Sequence, residues 1–578
     1  MIRKLVRSML TAQILSALTV SLCLLIDNVM VSRFLGTKAI AAYGYANPIL
    51  LVIGALGSML AAGIQMACSK SLGRGRKEET DAGFSSAVAV TLCISLFFML
   101  VVLLFRGPLA RLMGAGYRDL ELHRMTKDYM AGFVVGAPGS MGALVLIPFL
   151  QIAGQSNLLI AAVLAMTVSD IALDLLNVYV LKWGMFGMGL ASSLSYYIAM
   201  LFAAYYFLSS RCIFRFSLKA VSRRKIAELF TSGVPTVFNM ASSVVMIFAM
   251  NQLLKRLGGT AAVAAFTVVT TIGNSVNCIT TGIGGVSITL SGVFFHEEDR
   301  HALREVFSLL CRYSVVLGLA MGLLLLVASP LLVGIFIARD VPERAMAVLG
   351  LRLFGAGLVP CCLNNALKIL YQATGRIVLT ELISVFECAV FPVLSAFLMS
   401  RFLGISGVWF YFVLGELLAL VSIGLYIRCV SKVPPWRGDA ALLLSPDFGV
   451  AEENLLELNL ASMEDVQSAV RQIEGFCSAR GLDPRSTNHI ALCVEEMASN
   501  VIKHGFSFDN KPHHLSVRLL RKPKKWVLRF RDDCTAFDPV HYVPAEGESS
   551  LGLRIVRAMA KDIRYTSSLS LNNLIIRF

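Results

Sequence analysis

Three acidic residues lie inside strongly apolar stretches of this chain, and their spacing indicates ion chemistry. Asp27 lies deep in the first apolar stretch, while Asp170 and Asp174 are four residues apart in the fifth. Residues four apart share one face of a helix. A charge at the centre of a membrane helix costs about 2.5–3.5 kcal/mol on insertion scales, so such residues are functional candidates. Buried, mutually repelling carboxylates can bind H⁺ or Na⁺.

Other polar residues accompany these acids in the apolar part of the chain. Ser192 and Ser193, in the sixth stretch, could complete a coordination shell for a cation. Glu387 and Glu416 lie inside apolar stretches of the second half. We treat all four as candidate cation-binding or substrate-binding residues, with helix packing as the alternative for each.

The end of the chain carries polar patterns of a different kind. Glu496 and Asn500 are one helical turn apart, and two further polar islands follow at 532–539 and 550–556. A carboxylate can act as a general base, and an amide oxygen can ligate a divalent cation such as Mg²⁺. The end of the chain therefore indicates a second chemistry, separate from that of the buried acids.

The composition is that of a membrane protein. It is 56% hydrophobic and 15% charged with a mean hydropathy of +0.71, whereas a globular enzyme carries about 25% charged residues. Only helices or closed barrels cross a bilayer, and the apolar runs are continuous rather than alternating, which favours helices. The chain predicts twelve membrane helices, near 9–32, 39–66, 84–105, 128–151, 157–181, 186–208, 231–254, 261–288, 308–337, 348–371, 378–402 and 406–428.

The net charge of +15 does not require a nucleic-acid partner. Basic clusters occur in the loops at 70–77 and 211–225, as the positive-inside rule predicts for cytoplasmic loops. With the N-terminus inside, the C-terminal region is cytoplasmic as well, although a basic loop at 106–127 weakens the bias. We expect a multi-pass protein of the cytoplasmic membrane that does not bind nucleic acid.

The twelve predicted helices form an internal repeat. Residues 33–43 align with 256–266, since both contain a Gly-Thr pair followed by small residues. Gln151-Ile-Ala-Gly154 aligns with Gln372-Ala-Thr-Gly375, and Gly184-Met-Phe-Gly187 aligns with Gly404-Ile-Ser-Gly407, all offset by about 220 residues. Six helices a half give two parallel six-helix lobes, the arrangement of an alternating-access transporter.

Several motifs in this region resemble those of the multidrug and toxic compound extrusion (MATE) family. Leu25-Ile-Asp-Asn-Val-Met-Val31 is similar to its first helix, and Ser71-Leu-Gly-Arg-Gly75 to the loop after its second. Asp170-Ile-Ala-Leu-Asp174 resembles its fifth-helix pattern Asn-x-x-x-Asp, with an acid in place of the asparagine. The resemblance implies antiport of an organic, often cationic, compound against H⁺ or Na⁺.

The C-terminal residues predict an α+β sandwich, in which antiparallel strands carry helices on one face. A strand at 455–460, helices at 464–478 and 485–503, a hairpin at 514–531, a short helix and two final strands are predicted. This order, with the motif Val494-Glu-Glu-Met-Ala-Ser-Asn500, resembles the GHKL ATPase fold of gyrase, MutL and histidine kinases. The closest resemblance is to the anti-sigma serine kinases.

This second resemblance implies roles for individual residues. Asn500 would ligate Mg²⁺ beside ATP, Glu496 would be the general base, and Asp532 would accept the adenine amino proton. The remaining implied nucleotide-binding residues are Phe537, which continues the Asp532 motif, and Gly552 with Leu553 in Ser550-Leu-Gly-Leu.

The chain departs from the family pattern at two of its glycines. Cys534 and Ser550 stand where the family has glycine. A side chain at Cys534 could crowd the adenine or require a different backbone angle. Binding of nucleotide is therefore better supported by the sequence than turnover.

Two functional hypotheses follow. In the first, lobes 1–215 and 216–432 form a cation-coupled antiporter, joined by a linker at 433–452 to a regulatory ATP-binding domain at 453–578. In the alternative, the membrane part is a sensor and the C-terminal domain phosphorylates a serine or threonine of an anti-anti-sigma-like partner. ATP-driven pumping is disfavoured because the chain has no Gly-x-x-x-x-Gly-Lys-Ser/Thr motif.

Overall fold

The computed structural model contains a large helical part followed by a small α/β domain. It describes residues 2–35, 37–74, 76–113, 115, 119–207, 209, 212, 214–337, 342–437, 439–445, 448–507, 513–522, 525–540, 542, 551–569 and 571–578.

Sixteen described helices make up the membrane part, and they divide between two lobes. The first lobe contains α1 (Ile2–Met30), α2 (Thr37–Gly73), α3 (Lys77–Leu112), α4 (Leu120–Val134), α5 (Ala137–Ile152), α6 (Ser156–Leu176) and α7 (Gly184–Phe207). The second contains α8 (Arg223–Val276), α9 (Cys278–His296), α10 (Arg300–Phe336), α11 (Pro342–Ala356), α12 (Leu358–Ala373), α13 (Ile377–Val385), α14 (Phe391–Leu403), α15 (Ile405–Val408) and α16 (Tyr411–Ser431).

Many of these helices are long and apolar enough to cross a bilayer. Among the described residues, nine helical stretches qualify by length and hydropathy, and two bent pairs, α4 with α5 and α11 with α12, raise the number to eleven. The twelfth predicted span corresponds to the 29-residue helix α1, which is not among these candidates. Apolar side chains on α3 and α10 stay exposed, such as Phe97 at 63% and Val327 at 77%, which is the pattern of a lipid-facing surface.

The backbone repeats between the lobes at the positions that the sequence pairs. Gly154 and Gly375 have φ values of 76° and 81°, and Gly184 and Gly404 have 59° and 60°. A side chain is disfavoured at these angles, which explains why glycine occupies both members of each pair. The bends between α4 and α5 and between α11 and α12, 44° and 48°, also match. The internal repeat is therefore present in three dimensions.

The lobes meet where α2 crosses α8 and α9, in the half of the bundle near the α/β domain. A methyl group at Gly63 would lie 2.0 Å from the Leu229 carbonyl oxygen, and one at Gly233 would lie 2.2 Å from that of Met59. Further along α2, a methyl at Gly73 would lie 2.5 Å from the Val293 carbonyl. Small residues let helix backbones approach this closely in membranes.

Four π-helical segments interrupt the helices in the described part of the chain. They are Val31–Leu35, Asn177–Leu181, Phe386–Val390 and Val501–Gly505. Each lies next to, or contains, a residue that the sequence singles out. Such segments are rare and occur frequently at functional sites.

The C-terminal domain is the predicted α+β sandwich. Its antiparallel sheet has the order β1-β2-β3-β5-β4. The strands are β1 (Leu455–Leu460), β2 (Leu515–Lys522), β3 (Lys525–Asp532), β4 (Asp562–Ser568) and β5 (Leu571–Arg577), and the helices are α17 (Met463–Ser478), α18 (Pro484–Asn500) and α19 (Leu551–Met559). The helices and one sheet face enclose a single apolar core. Ser462 caps α17 in a capping box with Asp465.

The connection between the membrane part and this domain packs against the second lobe. Ala441 and Leu442 are buried against the second lobe, where the Tyr371 hydroxyl donates to the Ala441 carbonyl at 3.0 Å. Arg376 donates to the carbonyls of Leu442 and Leu443. These residues are apolar, so burying them stabilises the packed arrangement. This part of the predicted linker is therefore packed against the second lobe.

The crossing of α2 and α8 generates a stability prediction. We expect Gly63→Ala to lower the stability of the protein by about 1–3 kcal/mol, because overpacking a close contact costs that much. Thermal unfolding in detergent measures the effect. Gly54→Ala, in the same helix, is the control because a methyl there meets no atom within 4 Å. An equal loss in both variants would contradict the prediction.

Candidate functional sites

The three predicted carboxylates of the first lobe lie together inside it. Asp27 on α1 and Asp170 on α6 are within hydrogen-bonding reach of each other, and Asp174 lies one turn further along α6. All three are buried, Asp174 completely. Within the described residues none of them pairs with Lys or Arg, and both oxygens of Asp174 lack a hydrogen-bond partner. An isolated buried carboxylate is very costly, so this group of acids is a candidate site for a bound cation.

The neighbouring serines divide between the site and the packing of the helices. Ser192 is within reach of Asp27, and Ser195 is within reach of Asp170. Ser193 lies elsewhere, because its hydroxyl contacts the Gly132 and Phe133 carbonyls of α4 at 2.7 and 2.8 Å. Ser195 was missed from the sequence, although it is three residues after Ser192 and thus on the same helix face.

Aromatic side chains enclose the same region. Tyr129 is buried and Tyr196 is partly buried, and both are close enough to Asp27 to interact with it electrostatically. Tyr43 packs edge-to-face on Tyr129 with the ring centroids 5.2 Å apart. Electron-rich rings beside carboxylates attract organic cations, since the ring face is the negative end of its quadrupole.

The second lobe holds a different cluster around Glu387 and Glu416. Lys368 on α12 pairs with Glu387 at 2.7 Å, and the side chains of both are almost completely buried. The Asn364 amide donates to the Glu416 carboxylate at 2.8 Å. The Cys361 sulfur and one oxygen of each glutamate lie within 4.8 Å of one another. Among the described residues this cluster has one ammonium for two carboxylates, and Glu416 is the acid that forms no ion pair.

The α/β domain contains a cavity of about 770 Å³. All six residues that the sequence assigned to this domain line it: Glu496, Asn500, Asp532, Phe537, Gly552 and Leu553. The cavity lies between α18, the end of β3 and the start of α19. Segments more than 50 residues apart in sequence therefore form one pocket, as the motif order predicts.

Asp532 is fixed at the inner wall of this cavity. One of its oxygens accepts hydrogen bonds from the Asn572 amide at 2.8 Å and the Cys534 N–H at 3.1 Å. Burial raises the pKa of Asp532, while these hydrogen bonds lower it, and burial dominates. The Tyr565 hydroxyl in turn donates to Asn572 at 2.7 Å. Asn572 and Tyr565 were missed, because only tertiary structure brings the last strands against Asp532.

Glu496 faces the backbone at the start of α19. A methyl group at Gly552 would lie 2.0 Å from a carboxylate oxygen of Glu496. Any larger residue at this position would displace the acid, which gives a steric reason for the glycine. The carboxylate and the helix start consequently border the same corner of the cavity.

The cysteine that replaces a family glycine is accommodated without backbone strain. Cys534 is not among the described residues with a left-handed backbone. Its side chain lies against Gly505, where a methyl group would come 2.9 Å from the sulfur. Cys534 also lines the cavity, so its side chain narrows the cavity without requiring an unusual backbone conformation. Ser550, the other replaced glycine, lies outside the described residues.

The fold and these two kinds of site define a membrane transporter that carries its own ATPase-type domain. The MatE family model matches residues 12–176 and 235–398, one stretch in each lobe. The chain therefore belongs to the MATE transporter family. Residues 460–578 match the histidine kinase-like ATPase domain, which agrees with the sandwich and its cavity.

Comparisons with individual proteins agree with this assignment. The multidrug export protein MepA of Staphylococcus saprophyticus is 22% identical over 399 residues, which are 68% of this chain and 87% of that protein. A crystal structure of MATE in complex with MaD3S superposes with a TM-score of 0.69 at 22% identity, covering 74% of this chain and 96% of that one. A MOP superfamily transporter from Pyrococcus furiosus gives 0.68 at 21%, covering 73% and 94%.

The contact between Gly552 and Glu496 generates a binding prediction. We expect Gly552→Ala to weaken nucleotide binding about tenfold, since a misfit of about 1.4 kcal/mol has that effect. Adding Glu496→Ala removes the collision and should restore most of the affinity. A fluorescent ATP analogue titrated into the full-length protein measures both variants.

The control for this experiment is Gly475→Ala in the same domain. A methyl group at Gly475 meets no atom within 4 Å, so we expect unchanged affinity. If the double variant binds as weakly as Gly552→Ala alone, the steric explanation is wrong.

The ion pair in the second lobe generates a stability prediction. We expect Lys368→Met to destabilise the protein by about 3–5 kcal/mol, because it leaves Glu387 buried without its partner. Combining it with Glu387→Gln should recover a large part of the loss. Thermal unfolding in detergent tests both variants, and an unaffected single variant would show that the pair is not buried in the protein.

Proposed function

We propose that this protein is a cation-coupled antiporter that exports organic compounds, often cations, across the cytoplasmic membrane. The observation that carries the proposal is the buried group of Asp27, Asp170 and Asp174, which has no basic partner among the described residues. A site with excess negative charge in a membrane interior needs a bound cation in every conformation. H⁺ or Na⁺ and a cationic substrate can satisfy that need in turn.

Exchange at this site accounts for coupling between ion and substrate. When H⁺ or Na⁺ enters, it neutralises the carboxylates and lowers the affinity for an organic cation. When the substrate enters, its charge replaces that of the ion. The lobes thus change from one arrangement to the other only while an ion or a substrate occupies the site. The empty transporter cannot change arrangement, so the ion does not leak without export of substrate.

The character of the substrate is inferred from the groups around the carboxylates. The rings of Tyr43, Tyr129 and Tyr196 provide apolar surface and cation–π contact. A relative of this chain is named as a multidrug export protein, which agrees with a broad apolar site. Ser192 contributes a hydroxyl oxygen near Asp27.

The second lobe contributes a further acidic group to this function. Since Lys368 neutralises Glu387, Glu416 is left as the group that a cation would satisfy. Asn364 places an amide beside it, and its own carbonyl oxygen is buried without a partner among the described residues. We propose Glu387 and Glu416 as a cation-binding or substrate-binding pair in which Lys368 already neutralises one of the two charges.

The C-terminal domain is proposed to bind ATP with Mg²⁺ in the cytoplasm and to regulate transport. The cavity fits this ligand: it has a buried carboxylate, Asp532, at its inner wall and a helix start at Gly552. Helix starts bind phosphate through free N–H groups. Asn500, one turn from Glu496, would ligate Mg²⁺. ATP bound in this cavity would regulate transport through its charge and its contacts, and its hydrolysis would not drive transport.

A kinase activity is the second candidate, favoured by the position of Glu496. Its carboxylate borders the helix start where the terminal phosphates would lie, so it could deprotonate a serine or threonine hydroxyl. The acceptor would be a cytoplasmic anti-anti-sigma-like protein. In that case the membrane lobes sense a ligand and transport is secondary.

One pair of variants separates the two functions. We expect Asp27→Asn to abolish efflux of ethidium, an organic cation, from cells, because the site loses a charge. Glu496→Ala should leave efflux in place, since the acid lies in the soluble domain. Time courses of ethidium fluorescence measure both. The opposite result would contradict the transporter function: Asp27→Asn leaves ethidium efflux unchanged, while Glu496→Ala abolishes the phenotype that the protein gives the cells. The kinase function would then be favoured.

A further inference from the structure

An acidic turn of the membrane part meets a basic face of the C-terminal domain. The acidic turn is Glu297–Glu298–Asp299, between α9 and α10. The basic face consists of Arg518 on β2 and Arg529 and Arg531 on β3, on the side of the sheet opposite the helices. Neither group was singled out in the sequence, because they lie more than 200 residues apart.

The contacts between the two are dense and buried. Arg531 pairs with Glu297 and lies 3.6 Å from Asp299, and Arg518 pairs with Asp299. Arg529 donates to both the carboxylate and the backbone carbonyl of Glu297, at 3.2 Å each. The side chains of Glu297, Asp299 and Arg531 are at most 5% exposed. Pairs this buried are much more sensitive to loss of one partner than surface pairs.

Asp299 shows how strongly the basic face acts on the turn. Burial by itself raises the pKa of this carboxyl, but the guanidinium groups of Arg518, Arg531 and Arg529 and the Ala302 N–H together hold it below its ordinary value. Asp299 also caps α10 by accepting from Ala302 at 2.9 Å. The sheet is therefore attached to the first turn of a membrane helix.

The same sheet contacts the first lobe through the β4–β5 hairpin. The Leu569 N–H donates to the Ile152 carbonyl at the end of α5, at 2.6 Å. The Leu569 side chain is 1% exposed and packs in the apolar cluster that includes α9, α10 and α12. A guanidinium N–H of Arg564 lies 3.4 Å from the Arg74 carbonyl at the end of α2. One domain thus contacts both lobes beside their mutual crossing.

A short connection joins these contacts to the nucleotide cavity. Arg531 and Asp532 are consecutive on β3, so their side chains point to opposite faces of the sheet. They pair across the ladder with Asn573 and Asn572 of β5. The Arg531 Nε donates to Asn573 at 2.8 Å, and Asn572 donates to Asp532 at 2.8 Å. A shift of β5 at the cavity would therefore move Arg531 and, through it, its contact with the acidic turn.

From this geometry we infer that the C-terminal domain holds the two lobes together at this end of the bundle, an interaction that we call the brace. We further infer that nucleotide bound in the cavity alters the brace through the contact of Arg531 with Glu297. The inference rests on the proposed nucleotide binding and names its route to the transporter. The basic face serves as a docking surface for the acidic turn, and the hairpin serves as the contact with the other lobe.

Hydrogen–deuterium exchange of the full-length protein in detergent, with and without ATP and Mg²⁺, tests this inference. We expect ATP to change amide exchange in residues 297–302 about fivefold or more, as typical coupling between sites would produce. Glu297→Gln should still bind ATP, with an affinity changed by no more than the coupling factor because coupling between sites is reciprocal, and should lose this response.

Glu298→Gln is the matched control in the same turn. Among the described residues Glu298 forms an ion pair with Lys522, and its side chain is 53% exposed, so this pair contributes little and the response should be retained. If ATP binds but leaves exchange in the turn unchanged, or if Glu297→Gln responds like the natural protein, the brace is overturned while nucleotide binding stands. If ATP does not bind at all, the proposed nucleotide function fails, and the inference fails with it.

Discussion

The cost of burying charge away from water is the constraint on which the rest of this structure depends. The described residues meet it in three ways. At the domain junction, guanidinium groups and carboxylates neutralise each other. In the second lobe, Lys368 neutralises Glu387 while Glu416 has only an amide. In the first lobe, three carboxylates have no basic partner. The three sites form a series, from the domain junction through the second-lobe cluster to the first-lobe cluster. The fewer of their carboxylates are neutralised by basic side chains, the more they need an external ion.

The helices place these clusters by the same small set of devices in both lobes. Bent pairs and left-handed glycines recur at equivalent positions of the two lobes. At Gly63 and Gly233, α2 and α8 approach each other backbone to backbone, and α1 also packs against α9 across the lobes. If the lobes exchange arrangements, this close contact has to be remade.

Much of the architecture could be predicted from the sequence because it is locally encoded. Twelve apolar runs, the repeated Gly-Thr stretches and the alternating strands near 455 and 515 each depend on residues within a few turns. The motif residues Glu496, Asn500, Asp532 and Gly552 do line one cavity, though their roles remain predictions. Pairings between distant segments could not be predicted. Lys368 with Glu387 and Arg531 with Glu297 depend on helix rotation and domain docking, which no local pattern encodes.

The π-helical segments have a consequence for how such a chain changes through evolution. A π turn is an α-helix with one residue added, and the extra residue rotates everything on one side of it by about 100° relative to the other. Asp174 and Asn500 each lie immediately before or near such a segment, and Glu387 lies within one. A single-residue insertion or deletion there re-aims a polar side chain without breaking the helix. Homologous chains can therefore differ in ligand set by one codon, while their apolar pattern on either side stays the same.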